Sequence, residues 1–173
     1  MRTALRRTGS LFAVLATAFA LLVSVTASPA LAWDATQMRN AQQEWFNNVC
    51  LEVDNAATGV GAPVTVDWCT QGGHHQMWTR VDVSNGWMLL RVKHSANMCL
   101  DVKGMSAADG TQIVQYPCNV NRLSQHWRFD LASEQYTVLN KYTGKCLDKS
   151  GWNVVLWGCH GWEWQQWTRP WNL

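Results

Sequence analysis

The side chains best suited to chemistry are six cysteines, five histidines and 12 carboxylates, set among 12 tryptophans. Thiolate metal sites need close ligand pairs such as C-x2-C, and the sequence has none. A nucleophilic thiol needs an unpaired cysteine, whereas six pair evenly. His74 and His75 are adjacent, so on a strand their rings point to opposite faces and do not converge on an ion. No G-x-S-x-G, H-E-x-x-H, phosphate loop or dinucleotide fingerprint occurs. Glycoside hydrolysis requires two carboxyls flanking one bond. The candidate acids Glu52, Asp101 and Asp148 are instead dispersed along the chain, about 50 residues apart. These residues point to recognition without catalysis, metal or cofactor. Six of the 12 tryptophans (Trp152, Trp157, Trp162, Trp164, Trp167 and Trp171) lie in the last 22 residues. Not all can be buried in so short a segment, and exposed aromatic faces suit sugar rings or a protein partner.

The elements that position these residues come from an internal repeat. The first unit has Cys50-Leu51-Glu52-Val53, then Cys69, then Gln76-Met77-Trp78. The second has Cys99-Leu100-Asp101-Val102, then Cys118, then Gln125-His126-Trp127. The third has Cys146-Leu147-Asp148, then Cys159, then Gln165-Gln166-Trp167. The spacings are C-x18-C-x6-Q-x-W twice and C-x12-C-x5-Q-x-W once. Residues 76–82 and 125–131 alternate after the Q-x-W. Residues 87–92 and 135–140 are rich in β-formers, and 111–117 and 153–158 lead into the second cysteine. Turn clusters such as Ser84-Asn85-Gly86 and Ala108-Asp109-Gly110 separate them. No segment has a long helical period. About four short strands per unit predict an all-β chain of about twelve strands. The third unit ends soon after its Q-x-W, so the segment 33–48 is expected to supply the missing strand, although Asn40, Gln42 and Gln43 are polar where other units are apolar.

The beginning of the chain reads differently. Arg2, Arg6 and Arg7 precede an apolar run of 15 residues, 11–25, and Ala30-Leu31-Ala32 has the form of a cleavage site. This predicts a secretory signal peptide over 1–32 and a secreted chain over 33–173. No later segment is apolar enough to span a membrane. Without the three leader arginines the chain carries 11 Lys+Arg against 12 Asp+Glu. A near-neutral domain without a basic cluster offers no footprint for nucleic acid.

C-L-D/E, a second cysteine and Q-x-W, three times over, resembles the ricin B-chain-type lectin domains. The resemblance covers 33–173 and implies a β-trefoil, a six-stranded barrel capped by three hairpins, with repeats at about 49–98, 99–145 and 146–173. Of the 15 pairings open to six cysteines, the repeat selects Cys50–Cys69, Cys99–Cys118 and Cys146–Cys159. An oxidising extracellular setting suits such bridges. Trp78, Trp127 and Trp167 recur at one position and are expected in the core.

The resemblance also implies where a sugar would bind. A pyranose offers an apolar face and a rim of hydroxyls, so it needs an aromatic platform and an acceptor acid. In the family the acid is the D of C-L-D, the platform lies two before the second cysteine, and an amide precedes the Q of Q-x-W. The middle repeat then offers Asp101, Tyr116 and Gln125, with Gln115 beside the platform and Ser124 at the amide position; it ranks first. The third offers Asp148, Trp157 and Gln165, with Trp164 either extending or blocking the platform. The first is the weakest: Glu52 and Gln76 remain, but Asp67 holds the platform position, Trp68 is displaced by one residue, and His75 replaces the amide. The expected partner is a glycan or polysaccharide, with any catalytic or toxin partner a separate polypeptide. The alternative is a trefoil with decayed sugar sites that binds a protein through its Trp-rich third repeat, as a toxin subunit or an enzyme inhibitor would.

Overall fold

A computed structural model describes residues 36–42, 48–132 and 135–168. The expected leader, 1–32, lies outside the described residues, as do Gln43 and Trp171. Each repeat opens with a hairpin: β2 (Val49–Val53) with β3 (Val64–Trp68), β6 (Met98–Val102) with β7 (Thr111–Pro117), and β10 (Cys146–Ser150) with β11 (Asn153–Trp157). In the first two repeats a second hairpin follows, β4 (Met77–Ser84) with β5 (Trp87–Val92) and β8 (Trp127–Ala132) with β9 (Gln135–Asn140). Pairings β5–β8, β7–β11 and β3–β11 join the repeats to one another. The result is a β-trefoil.

Eleven strands are formed among the described residues, including the short β1 (Thr36–Gln37) on β4. At the place of a twelfth, Trp167 bridges both Asn40 and Tyr136. The strands after Q-x-W start one or two residues later than the alternation suggests. The glutamine itself lies in a short 3-10 turn (His74–Gln76, Leu123–Gln125, Glu163–Gln165). Its amide donates to the carbonyl three residues back, which ends the turn and releases the chain into a strand.

Segment 36–42 runs between the first and third repeats. Met38 is fully buried, and its carbonyl accepts from Leu51. Asn40, which looks out of place by its polarity, sits opposite Trp167 as Asn140 sits opposite Trp127, whereas Val92 faces Trp78. Asn40 Nδ2 donates to the carbonyls of Trp164 and Gln166, both at 3.1 Å. Asn140 Nδ2 does the same to Ser124 (2.9 Å) and, more weakly, His126 (3.5 Å). The polar side chain is therefore a brace for the turn before Trp167.

Trp78, Trp127 and Trp167 are fully buried, each Nε1 donating to the leucine carbonyl of its own C-L-D/E phrase, at 2.9, 3.0 and 3.1 Å. Around them close Leu51, Leu90, Leu100, Ile113, Leu147 and Leu156. The bridges are Cys50–Cys69, Cys99–Cys118 and Cys146–Cys159, each inside one repeat, as the repeat selects. They close segments of 19, 19 and 13 residues. Removing Cys99 and Cys118 together by alanine should cost about 3 kcal/mol, and removing Cys146 and Cys159 only about 0.3 kcal/mol less, since loop entropy grows slowly with length. Urea unfolding of the two double variants without reductant checks both values.

Candidate functional site

The hairpin register is the same in all three repeats and creates three equivalent positions. Cys50 faces Asp67, Cys99 faces Tyr116 and Cys146 faces Trp157. Two residues on, Glu52 faces Thr65, Asp101 faces Val114 and Asp148 faces Val155. Side chains two apart on a strand share a face, so acid and platform are diagonal neighbours. Gln115 is one residue out of phase with Tyr116. It is fully buried, and its Nε2 donates to the carbonyls of Ala57 and Gly59 in the first hairpin (2.9 and 2.8 Å). It holds that loop against β7 instead of standing beside the platform.

The three glutamines hold the acids. Nε2 of Gln76, Gln125 and Gln165 donates to Glu52, Asp101 and Asp148 at 2.9, 3.0 and 2.9 Å. Its second hydrogen goes to the carbonyl of Trp68, Pro117 or Gly158, and Oε1 accepts from the backbone of Thr70, Asn119 or His160. All three are buried with both donors engaged, so they fix the carboxylate rather than meet a ligand. Ser124 is buried too, and so offers nothing to the surface beside Asp101.

Each acid receives a second, different neighbour, and here the repeats part. In the middle repeat Arg122 Nε donates to Asp101 Oδ2 at 2.6 Å, and its guanidinium lies 4.7 Å from the centre of the Tyr116 ring. Arg122 thus shares Oδ2 with Gln125 and lies over the aromatic face that a sugar would use, while Asp101 Oδ1 is buried without a partner among the described residues. Acid and platform are brought together, yet the space between them is filled. Nothing in the repeat pattern marked Arg122; its counterparts three before the glutamine are Gly73 and Trp162.

In the third repeat His160 Nε2 lies 3.0 Å from Asp148 Oδ2, the oxygen that Gln165 also holds. Among the described residues nothing donates to Oδ1. Asp148 lines a cleft of about 590 Å³ walled by Trp157, Trp162 and Trp164. Trp164 stands edge-on to Trp162 (5.5 Å, 76°) and lines the same cleft as Asp148. These three rings are 43, 62 and 40% exposed. Trp157 is supported from behind by the turn at Gly110, where an added Cβ would meet the indole at 3.7 Å. Asp109 fastens that turn by accepting from Gly158 N and Lys145 Nζ, and the Lys145 hydrogen bond holds its carboxyl below the usual range.

In the first repeat Glu52 is buried beside His75 (3.4 Å), with Asp67 exposed at the platform position. Trp68 reaches the same shallow cleft from the strand end and meets Trp152 of the third repeat edge-on at 5.4 Å. Burial raises the Glu52 pKa, helped by Asp67 and Asp54 and opposed by Gln76 and His75. A carboxyl with a raised folded pKa favours the native state below its unfolded value near 4.5, and this contribution is lost as pH rises through the folded value. Glu52→Gln keeps an acceptor for Gln76 without the charge. Its stability relative to the parent should therefore improve from pH 4 to pH 7, as equilibrium unfolding at both pH values would reveal.

This constellation has known relatives. A family model described as "Ricin-type beta-trefoil lectin domain" matches residues 34–167. The chain belongs to the ricin-type β-trefoil lectin family. A human relative, polypeptide N-acetylgalactosaminyltransferase 14, is 32% identical over 98 residues, which is 55% of this chain and 16% of that protein. The chain thus spans about a sixth of the curated relative it matches. ThreeFoil, a designed 3-fold symmetric protein, superposes with a TM-score of 0.67 at 32% identity, over 76% of this chain and 95% of that one. The hemolytic lectin CEL-III superposes with a TM-score of 0.61 at 25% identity, over 80% of this chain and 30% of its own. As in any ricin-type trefoil, three sites are possible in principle; in this member the three differ in what stands on the acid.

Proposed function

We propose that the protein is a secreted, non-catalytic carbohydrate-binding module whose working site is the cleft of the third repeat. The observation that carries this is Asp148: Gln165 and His160 hold one carboxylate oxygen, nothing among the described residues donates to the other, and the residue lines a cleft walled by Trp157, Trp162 and Trp164. A fixed acceptor beside apolar rings matches the hydroxyl rim and C–H face of a pyranose. The family and its lectin relatives support carbohydrate as the ligand. The non-catalytic reading rests on Asp148 having no second carboxylate among the described residues that line its cleft.

The test is a glycan array read with the protein and with Asp148→Ala and Trp157→Ala. Binding that free sugar competes away, and that both variants lose, is the expected result. Unchanged binding by both variants, or capture of a protein target that free sugar leaves untouched, would sink the proposal.

A further inference from the structure

His160 takes the same place in its repeat as Thr70 and Asn119, directly after the second cysteine. In all three the backbone N–H at this place donates to Oε1 of the repeat's glutamine. In the middle repeat the side chain then turns the chain, Asn119 Oδ1 accepting from Asn121 N at 2.9 Å. In the third repeat an imidazole does the same, His160 Nδ1 accepting from Trp162 N at 3.2 Å. An amide oxygen does not change its charge near neutral pH, whereas histidine is the side chain that does so between about pH 5 and 8.

The two hydrogen bonds of His160 fix its tautomer. Nδ1 accepts from an N–H and so carries no hydrogen; Nε2 carries it and donates to Asp148 Oδ2 at 3.0 Å. The ring is therefore neutral in this arrangement. It packs against Trp162 (5.0 Å, 50°) and Trp164 (6.3 Å, 88°), and its side chain is 26% exposed, within reach of solvent protons. Trp162 is held by its backbone on both sides, its N–H on His160 and its carbonyl accepting from Gln165 N at 2.8 Å. Three charged groups surround the ring. Asp148 stands opposite Nε2 on β10. Lys149, next on that strand, lines the same cleft with its Nζ donating to Gln42 Oε1 at 2.9 Å. Glu163 follows Trp162 in the 3-10 turn and lines an adjoining cleft with Trp162 and Trp164.

On the reading that the third-repeat cleft binds carbohydrate, we infer that His160 is a positioning residue that makes capture depend on pH. A proton taken from solvent onto Nδ1 sets two donors face to face, the new N–H and that of Trp162. Their hydrogen bond is lost, and the Trp162 wall of the cleft is no longer fixed to the turn. Nε2 keeps its hydrogen, and Asp148 now pairs with a cation, which makes its carboxylate a weaker acceptor for a hydroxyl. Both changes act in one direction: glycan is held at neutral pH and released in acid.

NMR of the imidazole nitrogens and of the Trp162 amide tests the switch without any ligand. At about pH 7.5 the hydrogen should be on Nε2, and the Trp162 amide signal should move in step as the imidazole takes up its proton. A hydrogen on Nδ1 at that pH, or a Trp162 amide that ignores the imidazole, overturns the inference. On an array of galactosides and xylo-oligosaccharides, the protein should bind about three- to tenfold more weakly at about pH 5 than at about pH 7.5. His160→Asn installs the cap of the middle repeat. It should bring that ratio close to one, whatever its absolute affinity; its melting curve checks that it folds, and the two NMR outcomes decide if it does not. The same acid loss in His160→Asn would assign the effect to another group, Asp148 included, and overturn the inference. So would equal binding at both pH values that Trp157→Ala abolishes, a result that leaves the carbohydrate-binding reading standing. Failure to bind any arrayed glycan at either pH removes the reading beneath it, and the inference too.

Discussion

Asp148→Ala should weaken glycan binding by about 10- to 150-fold, and Asp101→Ala should leave it unchanged. The first figure corresponds to about 1.5–3 kcal/mol for a hydrogen bond to a charged acceptor. The two aspartates occupy the same position in their repeats, so the contrast isolates what stands on each. In both, the two donors share Oδ2 and leave Oδ1 without one among the described residues; Asp101 Oδ1 is buried, with Arg122 across the Tyr116 ring, whereas Asp148 lines the cleft. Asp101 should act on stability instead. Its removal leaves the Arg122 guanidinium and the buried Gln125 amide without their acceptor, at a cost of about 1–3 kcal/mol. For a domain of this size that lowers Tm by roughly 3–10 °C. Calorimetric titration and thermal unfolding of both variants separate the two effects. Arg122→Ala offers the converse: with Tyr116 uncovered and Asp101 free, a second equivalent of sugar should bind. If Asp101→Ala loses binding and Asp148→Ala does not, the middle repeat is the working site.

Trp127→Ala should destabilise the protein by about 3–5 kcal/mol, lowering Tm by roughly 10–20 °C. The indole is fully buried at the centre of the barrel, and its Nε1 satisfies the Leu100 carbonyl. Its loss leaves both a cavity and an unpaired acceptor. Trp162→Ala is the control: that ring is 62% exposed, and its removal should change stability by no more than about 0.5 kcal/mol. Urea unfolding gives both numbers. Similar losses from the two variants would mean that the exposed tryptophans belong to the packing and not to a binding wall.

The repeat alone determined much of this protein. Three phrases with C-L-D/E and Q-x-W select the three bridges and the recurrent tryptophans, each a local relation inside one unit, and their resemblance to the ricin B-type domains implies the trefoil. The pairing of acid with platform was legible for the same reason: both lie on one hairpin, and the side-chain alternation of strands puts them on one face. Which acid remains free was not legible. Arg122, His160 and His75 reach their carboxylates from turns three to five residues before the glutamine or from beside it, and only the path of each turn brings them there. In the sequence the glutamines read in two ways, as braces for the turn and the acid of their repeat and as ligand contacts. In the fold both of their hydrogens are engaged by the acid and a carbonyl. Asn40 looks foreign to a strand until Asn140 appears at the same register in the next repeat. Trp68 and Trp152, 84 positions apart in the chain, meet only because the shortened third hairpin is fastened onto β3. Relations within a hairpin are written in spacing; relations between turns, and between repeats, arise only when the barrel closes and brings distant loops to one rim.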